Sequence, residues 1–120
     1  MKYLLWVGAG SFLGGMARYW LSQIFPLKTA VFPFATLFIN ITGCFLIGLV
    51  YALAEKHMAA QEWRLFIATG LLGGFTTFSA FSFETVYMIR SEQGMYAILY
   101  VLASVLIGIA ATFFGAALIR

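Results

Sequence analysis

Long uninterrupted apolar runs, rather than any alternation, organise this chain. Residues 95–119 carry no charged side chain, nor do residues 29–54 or 65–83, and residues 3–25 are interrupted only by Arg18. Each run reaches or approaches the roughly 20 residues that a helix needs to cross a ~30 Å hydrocarbon layer. Leu, Ile, Val and Phe follow one another without the period-2 alternation of a membrane β-barrel. The pattern predicts an all-α integral membrane protein with four transmembrane helices, at about residues 3–25, 32–54, 63–89 and 95–119. The first span ends before Pro26, the second opens near Pro33, where proline suits a first helical turn, and the third starts at Trp63, an interfacial anchor type.

Composition narrows the class further. Of the 120 residues, 63% are hydrophobic and 9% charged, too few charges to cover a soluble surface. The connections at 26–31, 55–62 and 90–94 are too short for a soluble catalytic module, so an enzyme is not expected. The single cysteine, Cys44, falls mid-span and excludes an intramolecular disulfide. The net charge of +3 is spread over short loops, with no basic cluster suited to nucleic acid. The start, MKYLLWVGAGS, has the form of a secretory leader. It is read as part of the first span, because cleavage would leave three spans and strand Arg18.

Charge does little to orient the chain. Lys2, Lys56, Arg64 and Arg120 fall on one side, and Lys28 and Arg90 on the other, joined by Arg18 if it counts as flanking, a bias of four to two or four to three. So weak a bias does not set topology by the positive-inside rule. Either another feature orients the protein, or it inserts both ways, as small antiparallel homodimers do. Small residues recur at helix-packing steps: Gly8, Ser11, Gly15, Arg18 and Ser22 on span 1, Thr36, Asn40 and Gly43 on span 2, and Tyr100, Ser104, Gly108 and Thr112 on span 4. Membrane helices pack through such faces. Four thin helices packed this way leave little interior, so a conduit calls for a second subunit.

Three features carry candidate chemistry. Arg18 lies within span 1, either as an anchor snorkelling to the interface or as a protein-facing cation with a functional role. Asn40 lies inside span 2, as interhelical glue or as a ligand contact. The third is TGLLGGFTTFSAFSFE, residues 69–84, which mixes glycines, hydroxyls and aromatic rings. Each glycine there costs about 1 kcal/mol of helix propensity, and the β-branched residues after GLLGG add to it. A break mid-membrane is predicted, which lipid tolerates only where the freed backbone lines a cavity or holds an ion. Unwound carbonyls near Gly73 to Thr76 suit a small cation. Phe78 and Phe81 share a face, either as core or as rings whose positive edges meet an anion. The deep polar groups are donors, and Glu84 is the only acid near a span interior, so an anion pathway fits better than a cation pathway.

GGMARYW (14–20), FPFATLFINITGCFLIG (32–48) and GLLGGFTTFSAFSFE (70–84) together resemble the three signatures of the Fluc fluoride channels, also called CrcB proteins. The resemblance implies passive export of fluoride across a bacterial plasma membrane by an antiparallel, dual-topology homodimer with two pores at the subunit interface. It implies a structural Na⁺ at the dimer centre, on the backbone carbonyls of Gly73 and Thr76. The aromatic pair falls on Phe78 and Phe81, the pore asparagine on Asn40 and the vestibule cation on Arg18. A polar track includes Ser79, Thr36 and Tyr100, with Glu84 behind and Ser104 further along. Two positions depart from the family pattern: Ala80 replaces a threonine of TTFSTF, removing one hydroxyl, and Ala35 replaces the glycine of GTL. The competing reading is a small dual-topology exporter of cationic compounds that depends on Glu84.

Overall fold

The computed structural model describes residues 1–24 and 32–119. The expected 26–31 loop with Pro26 and Lys28, the end of the first span at Phe25, and Arg120 lie outside the described residues. The described chain is all helical: α1 (Lys2–Ile24), α2 (Phe34–Lys56), a short α3 (Gln61–Arg64), a π-helix (Leu65–Leu72), α4 (Gly73–Phe75), α5 (Phe78–Arg90) and α6 (Gly94–Ala117). Thr76 and Thr77, both extended, separate α4 from α5.

Among the described residues, Phe34–Lys56, Gln61–Arg90 and Gly94–Ala117 are long and apolar enough to cross a membrane. Helix α1 matches α2 in length, at 23 residues, but its glycines, Ser11 and Arg18 dilute its apolar character. Large apolar side chains lie open on every long helix, Phe12, Phe83 and Phe113 among them. Soluble monomers do not leave such continuous apolar surface in water.

The turns explain how short connections reverse the chain. At the end of α2 the Ala59 N–H reaches the Ala54 carbonyl at 3.0 Å, and at the end of α5 the Gln93 N–H reaches that of Met88 at 2.8 Å. These six-residue closures put Met58 (φ 50°) and Glu92 (φ 61°) in the left-handed region, the position a glycine commonly takes. Lys2 Nζ pairs with Glu62 Oε1 at 2.9 Å, and Lys56 Nζ donates to the Ile119 carbonyl at 3.3 Å. The start of α1, the end of α2, the start of α3 and the end of α6 therefore meet at one end of the molecule.

Close backbone approach holds the passes together. A Cβ on Gly10 or Gly14 of α1 would collide with the main chain at Phe66 or Leu71, and one on Gly74 would lie 2.6 Å from the Ser11 carbonyl. Helices α2 and α6 meet the same way: a Cβ on Gly48 would strike the Thr112 carbonyl, and one on Gly115 that of Phe45. Thr112 Oγ1 bonds across this seam to the Cys44 carbonyl at 3.0 Å. The π-helix is the element that the apolar pattern does not announce. Its wider turn, closed by the Gly73 N–H on the Ala68 carbonyl, carries Gly70 against Gly10.

The seam makes a paired prediction. Gly8→Ala and Gly15→Ala enter open space and are expected to be neutral or stabilising by up to about 1 kcal/mol. Gly14→Ala meets backbone that cannot yield, and is expected to destabilise by roughly 1–3 kcal/mol or more. Thermal unfolding in detergent measures the difference; equal behaviour of the three variants would contradict the packing described.

Candidate functional site

The two extended residues redirect the main-chain hydrogen bonds around them. Thr76 has φ −85° and ψ 158°, and Thr77 has φ −149° and ψ 120°. In a continuous helix the Thr77 N–H would donate to the Gly73 carbonyl; here it donates to Asn40 Oδ1 at 2.8 Å. Likewise the Ala80 N–H, which would serve the Thr76 carbonyl, donates to Thr77 Oγ1 at 3.1 Å, capping α5. Asn40 completes a two-point clasp, its Nδ2 donating to the Thr77 carbonyl at 3.1 Å. From α1, Arg18 Nε donates to the Gly74 carbonyl at 3.2 Å.

Gly73 and Thr76 are thus two carbonyls whose helical donors go to side chains instead. They are hard, neutral oxygens at the negative end of a helical segment, a donor set that fits a small monovalent cation. Among the described residues there is no group of three or more His, Cys, Asp or Glu that could hold a metal ion. The start of α5, a few atoms away, has the opposite polarity. Its amides form the positive end of a helix dipole, which favours an anion.

A groove of about 350 Å³ runs beside this junction, with Asn40, Gly73, Thr76, Phe78, Phe81 and Ser104 on its walls. Phe78 is 78% exposed, and its ring centroid lies 5.5 Å from that of the half-buried Phe81, at an interplanar angle of 44°. Phe81 in turn rests 5.0 Å from the fully buried ring of Tyr100. Behind them the Tyr100 hydroxyl donates to Glu84 Oε1 at 2.7 Å, and Thr36 Oγ1 donates to Glu84 Oε2 at 2.8 Å. The Ser104 hydroxyl oxygen is buried with no hydrogen-bond partner.

The expected site residues therefore fall into three places. Asn40, Phe78, Phe81, Ser104, Gly73 and Thr76 share the groove. Thr36, Glu84 and Tyr100 form a hydrogen-bonded triad behind Phe81. Ser79 stands outside the groove walls, its hydroxyl exposed and 3.2 Å from Thr77 Oγ1, and Arg18 approaches from α1. Thr77 joins the site as well, and its place three residues ahead of Ala80 at the head of an apolar run has N-cap spacing. Gly43, a packing residue by its spacing, also lets the extended segment lie on α2, since a Cβ there would collide with the Thr76 methyl.

A chain whose described elements are all helical, with apolar helices of spanning length, is a multi-pass membrane protein. Residues 5–116 match the family described as CrcB-like protein, Camphor Resistance (CrcB). A protein of Rhizobium meliloti (strain 1021) named "Fluoride-specific ion channel FluC" is 45% identical over 123 residues, covering 100% of this chain and 98% of the relative. Proteins of the same name from Chlorobium phaeobacteroides (strain BS1) and Chlorobaculum tepidum are 42% and 43% identical, over 93% and 100% of this chain and 88% and 96% of their own lengths. The chain belongs to the CrcB family.

Proposed function

We propose that this chain is a passive fluoride-selective channel of the bacterial plasma membrane, and not an enzyme. It works as an antiparallel, dual-topology homodimer of four-span subunits, with Thr76 and Thr77 at mid-membrane and two pores at the interface. The names of its relatives support the ion. The observation that carries the reading is the donor character of the groove, with the one nearby acid already engaged by two hydroxyls.

Fluoride holds its water tightly, so entry requires donors that replace it. Asn40 uses one Nδ2 hydrogen on Thr77, which leaves a second for an anion. Ser104 supplies an unpaired hydroxyl, and Phe78 and Phe81 supply the positive rims of their rings. Such weak, serial contacts let an ion pass rather than stay. Thr36 and Tyr100 continue the polar track behind Phe81, anchored by Glu84, and Ser79 and Thr77 present hydroxyls at the start of α5. Gly73 and Thr76, with their counterparts from the second copy, would hold the structural Na⁺, which supplies fixed positive charge and ties the two subunits. An inside-negative potential then drives the anion outward, at about 2.3 kcal/mol per elementary charge per 100 mV.

Reconstituted protein in liposomes tests this with a fluoride electrode. Voltage-driven fluoride release is expected without a proton gradient. A cation exporter dependent on Glu84 would instead show proton-coupled cation flux abolished by Glu84→Gln, with no fluoride release.

A further inference from the structure

The junction leaves four carbonyls to account for, those of residues 73 to 76, and Arg18 takes one of them. Where the chain turns extended, the Gly73, Gly74, Phe75 and Thr76 carbonyls face the break, since their helical donors would be the amides of Thr77, Phe78, Ser79 and Ala80. Arg18 Nε takes the Gly74 oxygen at 3.2 Å, while the Thr77 and Ala80 amides that would have served Gly73 and Thr76 go to side chains. Arg18 is half-buried and one helical turn beyond Gly14, whose missing Cβ admits the Leu71 carbonyl. One turn earlier, Ser11 Oγ points at the Gly70 carbonyl at 3.4 Å. Helix α1 thus meets the Gly70, Leu71 and Gly74 carbonyls on the way into the junction.

We propose that Arg18 is a positioning residue for the cation site: its Nε–H holds the Gly74 carbonyl aside, so that Gly73 and Thr76, and not Gly74, present their oxygens to Na⁺. This rests on the sodium reading above and gives Arg18 a role other than drawing anions into a vestibule. The hydrogen bond, rather than the charge, is what the role needs. A guanidinium beside a cation site repels the cation, so its charge works against sodium while its N–H works for it.

Side-chain chemistry separates the two. Glutamine places its Nε2–H at the same distance along the side chain as arginine Nε, without the charge. Lysine keeps the charge but has a methylene at that position. The measurement is the Na⁺ concentration needed to stabilise the detergent-purified protein against heat, with K⁺ as the control cation. Arg18→Gln is expected to need no more sodium than the unaltered protein, and Arg18→Lys and Arg18→Leu about tenfold more, the worth of one hydrogen bond to a charged donor. The opposite order, with Arg18→Lys behaving as the unaltered protein and Arg18→Gln impaired, would assign the role to charge and overturn the proposal. So would three variants with unchanged sodium dependence, or the absence of sodium-specific stabilisation in the unaltered protein. Fluoride release from liposomes at saturating Na⁺ is scored separately. Its loss in the unaltered protein would remove the channel reading while leaving the sodium result to stand or fall alone.

Discussion

Phe81→Ile is expected to slow fluoride efflux by roughly 10- to 100-fold while leaving the fold and subunit association unchanged. Phe81 is the hinge of the aromatic chain, with Phe78 on one side at 5.5 Å and Tyr100 on the other at 5.0 Å. Isoleucine restores much of the volume but has no positive rim, so an ion crossing the groove loses a partner for its missing water. A lost partner costs about 1–3 kcal/mol, and each 1.4 kcal/mol is about tenfold in rate. Phe78→Ile is expected to act in the same direction, since Phe78 stands on the same wall. Phe83→Ile is the control. Phe83 is 71% exposed and its ring lies near Tyr87, away from the groove, and its replacement should leave flux intact. Initial release rates from liposomes decide the matter, and equal rates in Phe81→Ile and Phe83→Ile would take Phe81 out of the path.

Asn40→Leu is expected to damage both stability and flux. Asn40 is the only side chain among the described residues seen to bond both the N–H and the carbonyl of Thr77, at 2.8 and 3.1 Å. Leucine leaves both groups unpaired in a partly buried place, at about 1–3 kcal/mol each. Asn40→Asp divides the two roles. It keeps an acceptor for the Thr77 N–H, so stability should fall less than with leucine, but it sets a negative charge in the groove and should abolish anion flux. Thermal unfolding and liposome release on both variants test the split. Asn40→Asp that conducts as well as the unaltered protein would reduce Asn40 to a structural clasp.

How much of this could be read from the chain alone follows from what each feature depends on. Helicity and membrane character were legible because they need only uncharged runs of spanning length, such as residues 95–119. The family was legible because its signatures are local strings. The π-helix was not, since its wide turn depends on contact with the Gly10 and Gly14 backbone face of another helix, and no residue in LFIATGLL signals it. The partner of Arg18 was also hidden. Its small-residue stripe indicates a protein-facing side, but the bond to the Gly74 carbonyl depends on how α1 lies against the main chain before Thr76 and Thr77, which spacing does not encode. Thr36, Glu84 and Tyr100 were named together through the resemblance. What joins them is two hydroxyl bonds to one carboxylate between residues 48 and 16 positions apart, which spacing does not encode.

The groove beside Thr76 and Thr77 is expected to conduct fluoride and to reject larger, less strongly hydrated anions. The most direct test is paired fluoride and chloride electrodes on liposomes loaded with both potassium salts, with a potassium ionophore added to set the voltage. Rapid fluoride release with chloride retained inside is the predicted result. Release of both anions together, or of neither, would contradict it.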